Sequence, residues 1–369
     1  MEESLVDKQT TTIYPPCCLR ILHDKFIILG TYELEKKTGF RVGSLDILDD
    51  NLQVIRSHPT YGAILDLKVS PFDETLLCSG HSTGNVMLWR FCNDHLELVT
   101  NLQIFESDTL CTSLHFSPLD PKLLIVTNTA GEVATIDIEC GESIFTTQAV
   151  KDAYSKVSVK EIEVQEKPER VIETYPEIFS RQHGLECWTA EFGQLAPFQD
   201  VIFTGGDDAT IMAHDLRSHD AIWTNNRIHE AGVVGIKCAT PTFRPHKPTS
   251  IITGSYDDNI RSLDLRMLGD AIYPADNIPA AQTSSRNLGG GVWRFSECPH
   301  SEDKLLVCCM YDGAKIVSLD EEATGTEDYF QVTNYLKKGH ESMCYGGDWG
   351  NKFIVTCSFY DKSVQMWCP

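Results

Sequence analysis

Three histidines, His183, His229 and His340, each stand four residues ahead of an apolar segment that begins at Cys187, Val233 or Cys344. Each is followed by an aspartate in a Gly-, Ser- or Asp-rich turn: Asp208, Asp257 and Asp361. A neutral imidazole near pH 7, oriented by a carboxylate, is a general base. On residue type alone His229 and His340 are the candidate bases, with Asp257 or Asp361 to orient them, and Ser342 and Cys344 lie beside His340 in sequence. A pair repeated three times equally fits a recurring structural network, since a catalytic base is more naturally unique. A second chemical signal is GHSTG, residues 80 to 84, which has the G-x-S-x-G form of a nucleophile elbow around Ser82.

Binding chemistry is concentrated elsewhere. Aligning the apolar segments ILDLKV, CTSLHF, CWTAEF, VVGIKC, VWRFSE and CYGGDW puts Leu65, Thr112, Trp188, Val234, Trp293 and Tyr345 in one slot. If that slot faces a common opening, Trp188, Trp293 and Tyr345 form a surface able to hold an apolar or quaternary-ammonium group by cation–π attraction; the alternative is packing between repeats. Trp293 sits in GGGVWR, where three glycines permit close backbone approach and Arg294 offers a fork of donors for a carboxylate or oxyanion. Room for packing explains the same glycines. The segment CYGGDWG adds a further carboxylate, Asp348.

The elements that must position these residues come from an internal repeat. VGSLD, VMLWR, VATID, IMAHD, IRSLD, KIVSL and VQMWC share one rhythm, with Leu45, Trp89, Ile136, His214, Leu263, Ser318 and Trp367 in the fourth place. Their spacing of about 45 to 55 residues, with one longer interval, is that of propeller blades. Each motif follows an apolar run and a tight turn, as in LLCSGHSTG, IFTGGDDA and IITGSYDD, which reads as a hairpin. The aligned apolar segment before it supplies an inner strand. The chain therefore resembles a WD-repeat protein: all-β, a seven-bladed β-propeller over residues 8–369, in which radial closure leaves few strand edges.

Residues 8 to 14, KQTTTIY, are expected to close the ring by pairing with the C-terminal blade. The long interval marks an insertion at about 141–182 between blades 3 and 4, either a solvated extension or a partner-binding loop. In this frame GHSTG is the blade 2 copy of a turn whose counterparts read GGDDA, GSYDD and SFYDK, so its glycines serve the turn and no strand-turn-helix context supports a serine hydrolase. In WD-repeat proteins a His and an Asp at these places commonly join a hydrogen-bonded network that pins the blade.

Lys and Arg number 31 against 53 Asp and Glu, a net charge of -22, which opposes binding to nucleic acid. No apolar stretch is long enough to span a bilayer, and the N-terminus has no signal-peptide pattern. The 14 cysteines stand singly or in adjacent pairs inside apolar runs, without a C-x-x-C. They read as buried thiols of a cytoplasmic protein, with no metal site.

The segments ECWTAEF, FTGGDDATIMAHDLR, IHEAGVVGI, ITGSYDDNIRSLDLR, GGGVWR, CCMYDGAKI and GHESMCYGGDWG resemble the diphthine methyl ester hydrolase family, also called diphthine methyltransferase from an older assignment, a WD-repeat family of eukaryotic diphthamide biosynthesis. The resemblance implies hydrolysis of a methyl ester on the modified histidine of translation elongation factor 2, giving diphthine and methanol, with no cofactor and a monomeric enzyme. Under it, Trp188, Trp293, Tyr345 and Asp348 would bind the trimethylammonium-bearing side chain, Arg294 would polarise the ester, and His229 or His340 with Asp257 would supply the base. No phosphate-cradling Gly loop or S-adenosylmethionine fold is apparent, so the older methyltransferase label lacks sequence support. The competing expectation is a non-catalytic WD-repeat scaffold that recruits elongation factor 2 or other proteins.

Overall fold

The structure is a computed structural model and describes residues 2–60, 62–139, 142–143, 171–173, 176–266 and 281–369. The apolar runs pair into seven antiparallel sheets arranged as the blades of a propeller. The innermost strands of blades 1 to 7 are Pro16–Leu22, Ile64–Val69, Cys111–Phe116, Cys187–Phe192, Val233–Cys238, Arg294–Glu297 and Cys344–Trp349. Every blade continues outward through its hairpin, as in blade 5, where Ser250–Ser255 pairs with Asn259–Asp264 and that strand with Ala281–Asn287.

Second strands such as Val201–Gly206 and Ser250–Ser255 are buried along their whole length. Sheet faces meet only other sheets, so these strands read as continuous apolar runs rather than alternating ones. Seven apolar clusters result, one between each pair of neighbouring blades. Cys78, Leu88 and Leu114 join blades 2 and 3, for example, while Leu29, Val355 and Met366 join blades 7 and 1. Each fully buried aliphatic side chain contributes roughly 1.5–3 kcal/mol, which is how a ring built almost wholly of strands coheres.

The ring closes through the N-terminal segment. Val6–Thr11, slightly ahead of the expected 8 to 14, pairs antiparallel with Ser363–Trp367 as the outer strand of blade 7. Glu2–Glu3 runs parallel to Phe330–Leu336 on the edge of blade 6, so one short segment laces two blades. Of the 141–182 insertion, most residues lie outside those described. Its described parts are Glu142–Ser143 and Val171–Glu173, which extend the sheet of blade 2, and Glu177–Ile178, which pairs with Val133–Asp137 as the outer strand of blade 3. The insertion thus enters blade 3 before its last strand.

Candidate functional site

The aromatic slot faces the channel mouth because of a repeated backbone irregularity. In six blades the inner-strand register shifts across one residue, leaving Cys17, Leu65, Thr112, Trp188, Val234 and Tyr345 opposite no single partner. Such a bulge re-aims its side chain. In blade 6, Trp293 occupies the same place just before the strand, its N–H donating to the Cys308 carbonyl at 2.9 Å. A second ring stands beside the first. Tyr32, Ser82, Thr129, Asp207, Tyr256 and Phe359 each follow a second strand and donate their N–H to the carbonyl of the residue preceding the inner strand, Pro15, Ala63, Leu110, Glu186, Gly232 or Met343.

Trp188, Trp293 and Tyr345 meet. The ring centroids of Trp188 and Trp293 are 5.8 Å apart, and those of Trp293 and Tyr345 5.0 Å. Tyr256 stacks on Trp293 at 5.9 Å with 24° between planes and meets Trp188 edge-on. Phe359 continues the surface from Tyr345 to Tyr32, and Val234, Met310 and Met343 pack among the rings. Trp293 is only 7% exposed, so it forms the floor, while Trp188, Tyr256 and Tyr345 remain half-buried walls. The indole N–H of Trp188 donates to Asp207 Oδ1 at 3.0 Å, fixing that ring and placing a carboxylate at the rim. Burial pushes the Tyr256 phenol up, and Tyr345, Asp207 and Glu186 push it further, so it stays neutral. The resulting basin is electron-rich and bordered by anions, which suits an organic cation.

The other expected residues lie elsewhere. Arg294 turns beneath the basin and crosses the channel from blade 6 to blade 2, donating from Nη1 to Asp66 Oδ1 at 2.9 Å and from Nη2 to the Leu65 carbonyl at 3.3 Å. Its fork is committed to a buried carboxylate and is not aimed at an oxyanion. Asp348 is three residues, roughly 10 Å of strand, below Tyr345. It accepts the Ile21 N–H at 2.8 Å and the Ser296 hydroxyl at 2.9 Å, clasping three blades rather than lining the basin.

His229 and His340 are 4% and 0% exposed, enclosed within their blades, and therefore out of a substrate's reach. His340 Nε2 bonds Thr356 Oγ1 at 2.7 Å, and the same hydroxyl takes the Trp367 indole N–H at 3.1 Å. Blade 2 repeats this with His81, Ser79 and Trp89, and blade 4 with His183, Thr204 and His214. His229 Nε2 bonds Thr253 at 2.9 Å. Its supposed orienter Asp257 instead pairs with Arg261 and accepts the Glu230 N–H. Burial lowers His340 to about 4; for His229 burial, then the Arg261 charge, lowers it to about 3. Both are neutral pins of the blades. Cys344 is fully buried, its thiol pushed up by its hydrogen bond to Cys308 and by burial, and Ser342 gives its N–H to Asp361.

Sequence reasoning missed Tyr256, Asp207 and Phe359. The signal was present in the turns GGDDA, GSYDD and SFYDK, one residue after the second strand, but turns were compared for their glycines and aspartates. Among the described residues no group of three or more His, Cys, Asp or Glu side chains gathers as a metal requires, and no helix is long and apolar enough to cross a membrane.

No family model matches the chain. It is 57% identical over 385 residues to a Saccharomyces cerevisiae protein named diphthine methyltransferase, covering 100% of this chain and 99% of that protein. A Schizosaccharomyces pombe protein of the same name is 30% identical over 377 residues, covering 99% of this chain and 98% of the relative. The Homo sapiens protein so named is 29% identical over 167 residues, 45% of this chain and 32% of its own length. A chain in the crystal structure of a mitotic checkpoint complex superposes with a TM-score of 0.70 at 11% identity, covering 100% of this chain and 93% of that one. That likeness shows the fold alone.

Proposed function

The chain belongs to the diphthine methyltransferase family, and on that premise we propose that it is a carboxylic ester hydrolase that removes the methyl ester of diphthine methyl ester on translation elongation factor 2. The observation that carries this reading is the basin of Trp188, Tyr256, Trp293 and Tyr345 at one mouth of the propeller. The substrate side chain bears a trimethylammonium group beside a carboxyl ester. Aromatic faces attract such a cation by about 0.5–2 kcal/mol each, and Asp207 and Glu186 add a favourable field.

With the cation seated, the ester carbonyl is held at the rim, within reach of water. Attack adds water oxygen to the carbonyl carbon; the C–O bond to the methoxy group then breaks, giving a carboxylate, methanol and one proton. Asp207 and Glu186 are the acceptors bordering the basin that can take that proton, and holding the ester near them lowers the entropic part of the barrier. Arg294, paired with Asp66, supports the floor from below. The same reading makes the protein a cytoplasmic monomer whose partner is the elongation factor. Its acidity suits a cationic substrate, and the cysteines among the described residues are all free thiols.

The test is to incubate the purified protein with elongation factor 2 carrying diphthine methyl ester, with no methyl donor added, and to follow intact mass. Loss of the methyl group with release of methanol is the expected result. Binding of the factor without loss of the methyl group would overturn the hydrolase and leave the scaffold.

A further inference from the structure

Three residues beyond each mouth residue, the inner strands present a second ring: Arg20, Lys68, His115, Glu191, Lys237, Ser296 and Asp348. All but Glu191 are partly exposed, so the channel admits solvent at this depth. Above it lies the Arg294–Asp66 pair, with Asp66 only 1% exposed. The pair crosses the channel between this ring and the aromatic basin.

Charges on the ring are unevenly matched. On the side of blades 3 to 7, Lys237 Nζ lies 3.1 Å from Glu191 and 2.8 Å from Glu297, His115 lies 3.4 Å from Glu191, and Asp348 takes two neutral donors. Blades 1 and 2 differ. Arg20 Nη1 donates to the carbonyl of its neighbour Leu19 at 2.8 Å, and among the described residues no carboxylate pairs with it. Lys68 is 3.4 Å from Asp66 Oδ1. That oxygen already accepts Arg294 at 2.9 Å and the Leu67 N–H at 3.0 Å, and Oδ2 accepts the Leu114 N–H at 3.1 Å. Arg294 and Lys68 thus share one carboxylate oxygen that also takes a backbone N–H, and Arg20 is left without a carboxylate among the described residues.

We infer that Arg20 and Lys68 form a binding site for a small oxyanion of the phosphate class inside the lower channel, separate from the aromatic basin. A guanidinium presents paired donors that match two oxyanion oxygens, and an ammonium adds a point charge. Low-dielectric channel walls focus the field that draws such an anion in, although the chain as a whole is acidic. Mutual repulsion among the cations points the same way: the Lys68 ammonium is held down to about 7 by burial and, against the pull of Asp66, by Arg20 and Arg294. A bound anion relieves that repulsion.

Inorganic phosphate is the probe. Titrated into the full chain by calorimetry at constant ionic strength, with sodium chloride as the balancing salt, it is expected to bind at one site and to raise the unfolding temperature. Arg20→Gln and Lys68→Gln should each weaken binding by about tenfold, the loss of one charge-assisted contact. Arg20→Lys keeps the charge but loses the fork, and serves where Arg20→Gln is unstable. Lys304→Gln alters a surface cavity of about 350 Å³ also lined by His300 and Lys352, and should leave binding unchanged. No saturable binding, binding indifferent to both channel substitutions, or binding lost with Lys304 instead would each overturn the assignment.

Discussion

In blades 2 and 3 the mouth positions are Leu65 and Thr112, with Ser82 and Thr129 in the turns beside them; in blades 4, 6 and 7 the same inner positions are Trp188, Trp293 and Tyr345, and the turns bring Asp207, Tyr256 from blade 5, and Phe359. The two arcs share one backbone plan except in blade 6, where Trp293 precedes a strand that has no register shift. Both have the bulged inner strand, and in both a turn N–H reaches the carbonyl ahead of it. What recurs in every blade is therefore what any blade needs, and the side chains that depart from recurrence on one arc mark where a ligand is to be held. The His–Thr–Trp contacts fall on the recurrent side of that division, although their residue types are those of catalysis.

The largest effect should come from separating the arcs. Arg294 reaches from the aromatic arc to Asp66 on the other, and Asp66 also accepts two backbone N–H groups. The guanidinium beside Asp66 holds its carboxyl far below the usual range, against burial, which alone would raise it. Asp66→Ala leaves a buried cation without its partner and should cost about 3–5 kcal/mol by urea unfolding. Adding Arg294→Met should restore part of it. If Asp66→Ala proves nearly neutral, the pair does not tie the two arcs.

Next in size is the pH dependence of the recurrent network. His340 has a folded value of about 4, lowered by burial, against about 6.5 unfolded. The unfolded state thus takes the proton first. Its contribution to stability is complete above about pH 6.5 and declines as the pH falls toward about 4, by about 1.4 kcal/mol per pH unit within that window. His340→Gln should flatten the stability profile there, relative to the parent, while leaving the pH dependence of turnover unchanged. A turnover profile that loses an ionisation in the variant would return His340 to the chemistry.

Within the basin smaller steps are expected. Trp188→Ala and Tyr345→Ala should each lower kcat/KM on the methyl-ester substrate by about two- to thirtyfold, the value of one cation–π contact of about 0.5–2 kcal/mol. Leu65→Ala, across the mouth, should leave it unchanged. Equal losses in both arcs would mean that the aromatic arc binds nothing special.

How much of this was legible follows from what repeats. Seven inner strands, their hairpins and closure by the N-terminal segment could be read because each blade restates the same apolar run, turn and alternating strand. The convergence of Trp188, Trp293 and Tyr345 was legible for the same reason, since one slot in an aligned repeat is one place on a ring. Arg294 and Asp348 were misplaced because neighbours along a strand leave it in different directions, and because Arg294 has a partner, Asp66, that is 228 residues away. Tyr256 was missed because the turns were aligned on their glycines and aspartates and not on the residue that follows the second strand. His229 and Asp257 looked paired because spacing cannot reveal that Arg261, four residues on, would claim the carboxylate.

The smallest effect on turnover, and the sharpest test of the contrast, is expected at Ser82. It occupies in blade 2 the position that Tyr256 holds in blade 5, its N–H going to the Ala63 carbonyl as that of Tyr256 goes to Gly232. Ser82 is 4% exposed and its hydroxyl accepts the Ala63 N–H at 2.9 Å, so the side chain and backbone close the same turn twice. Ser82→Ala should cost about 1 kcal/mol in stability, since a buried N–H loses its acceptor. Turnover should stay within about twofold of the parent, a change of less than half a kcal/mol in the barrier. The G-x-S-x-G spacing arises here because a tight turn needs Gly84, at φ 73° and hard against the Phe105 and Glu106 carbonyls, while a serine caps the strand before it. Should Ser82→Ala abolish turnover in a folded protein, the chemistry would belong to the plain arc of the mouth, with the aromatic arc left only to hold the substrate.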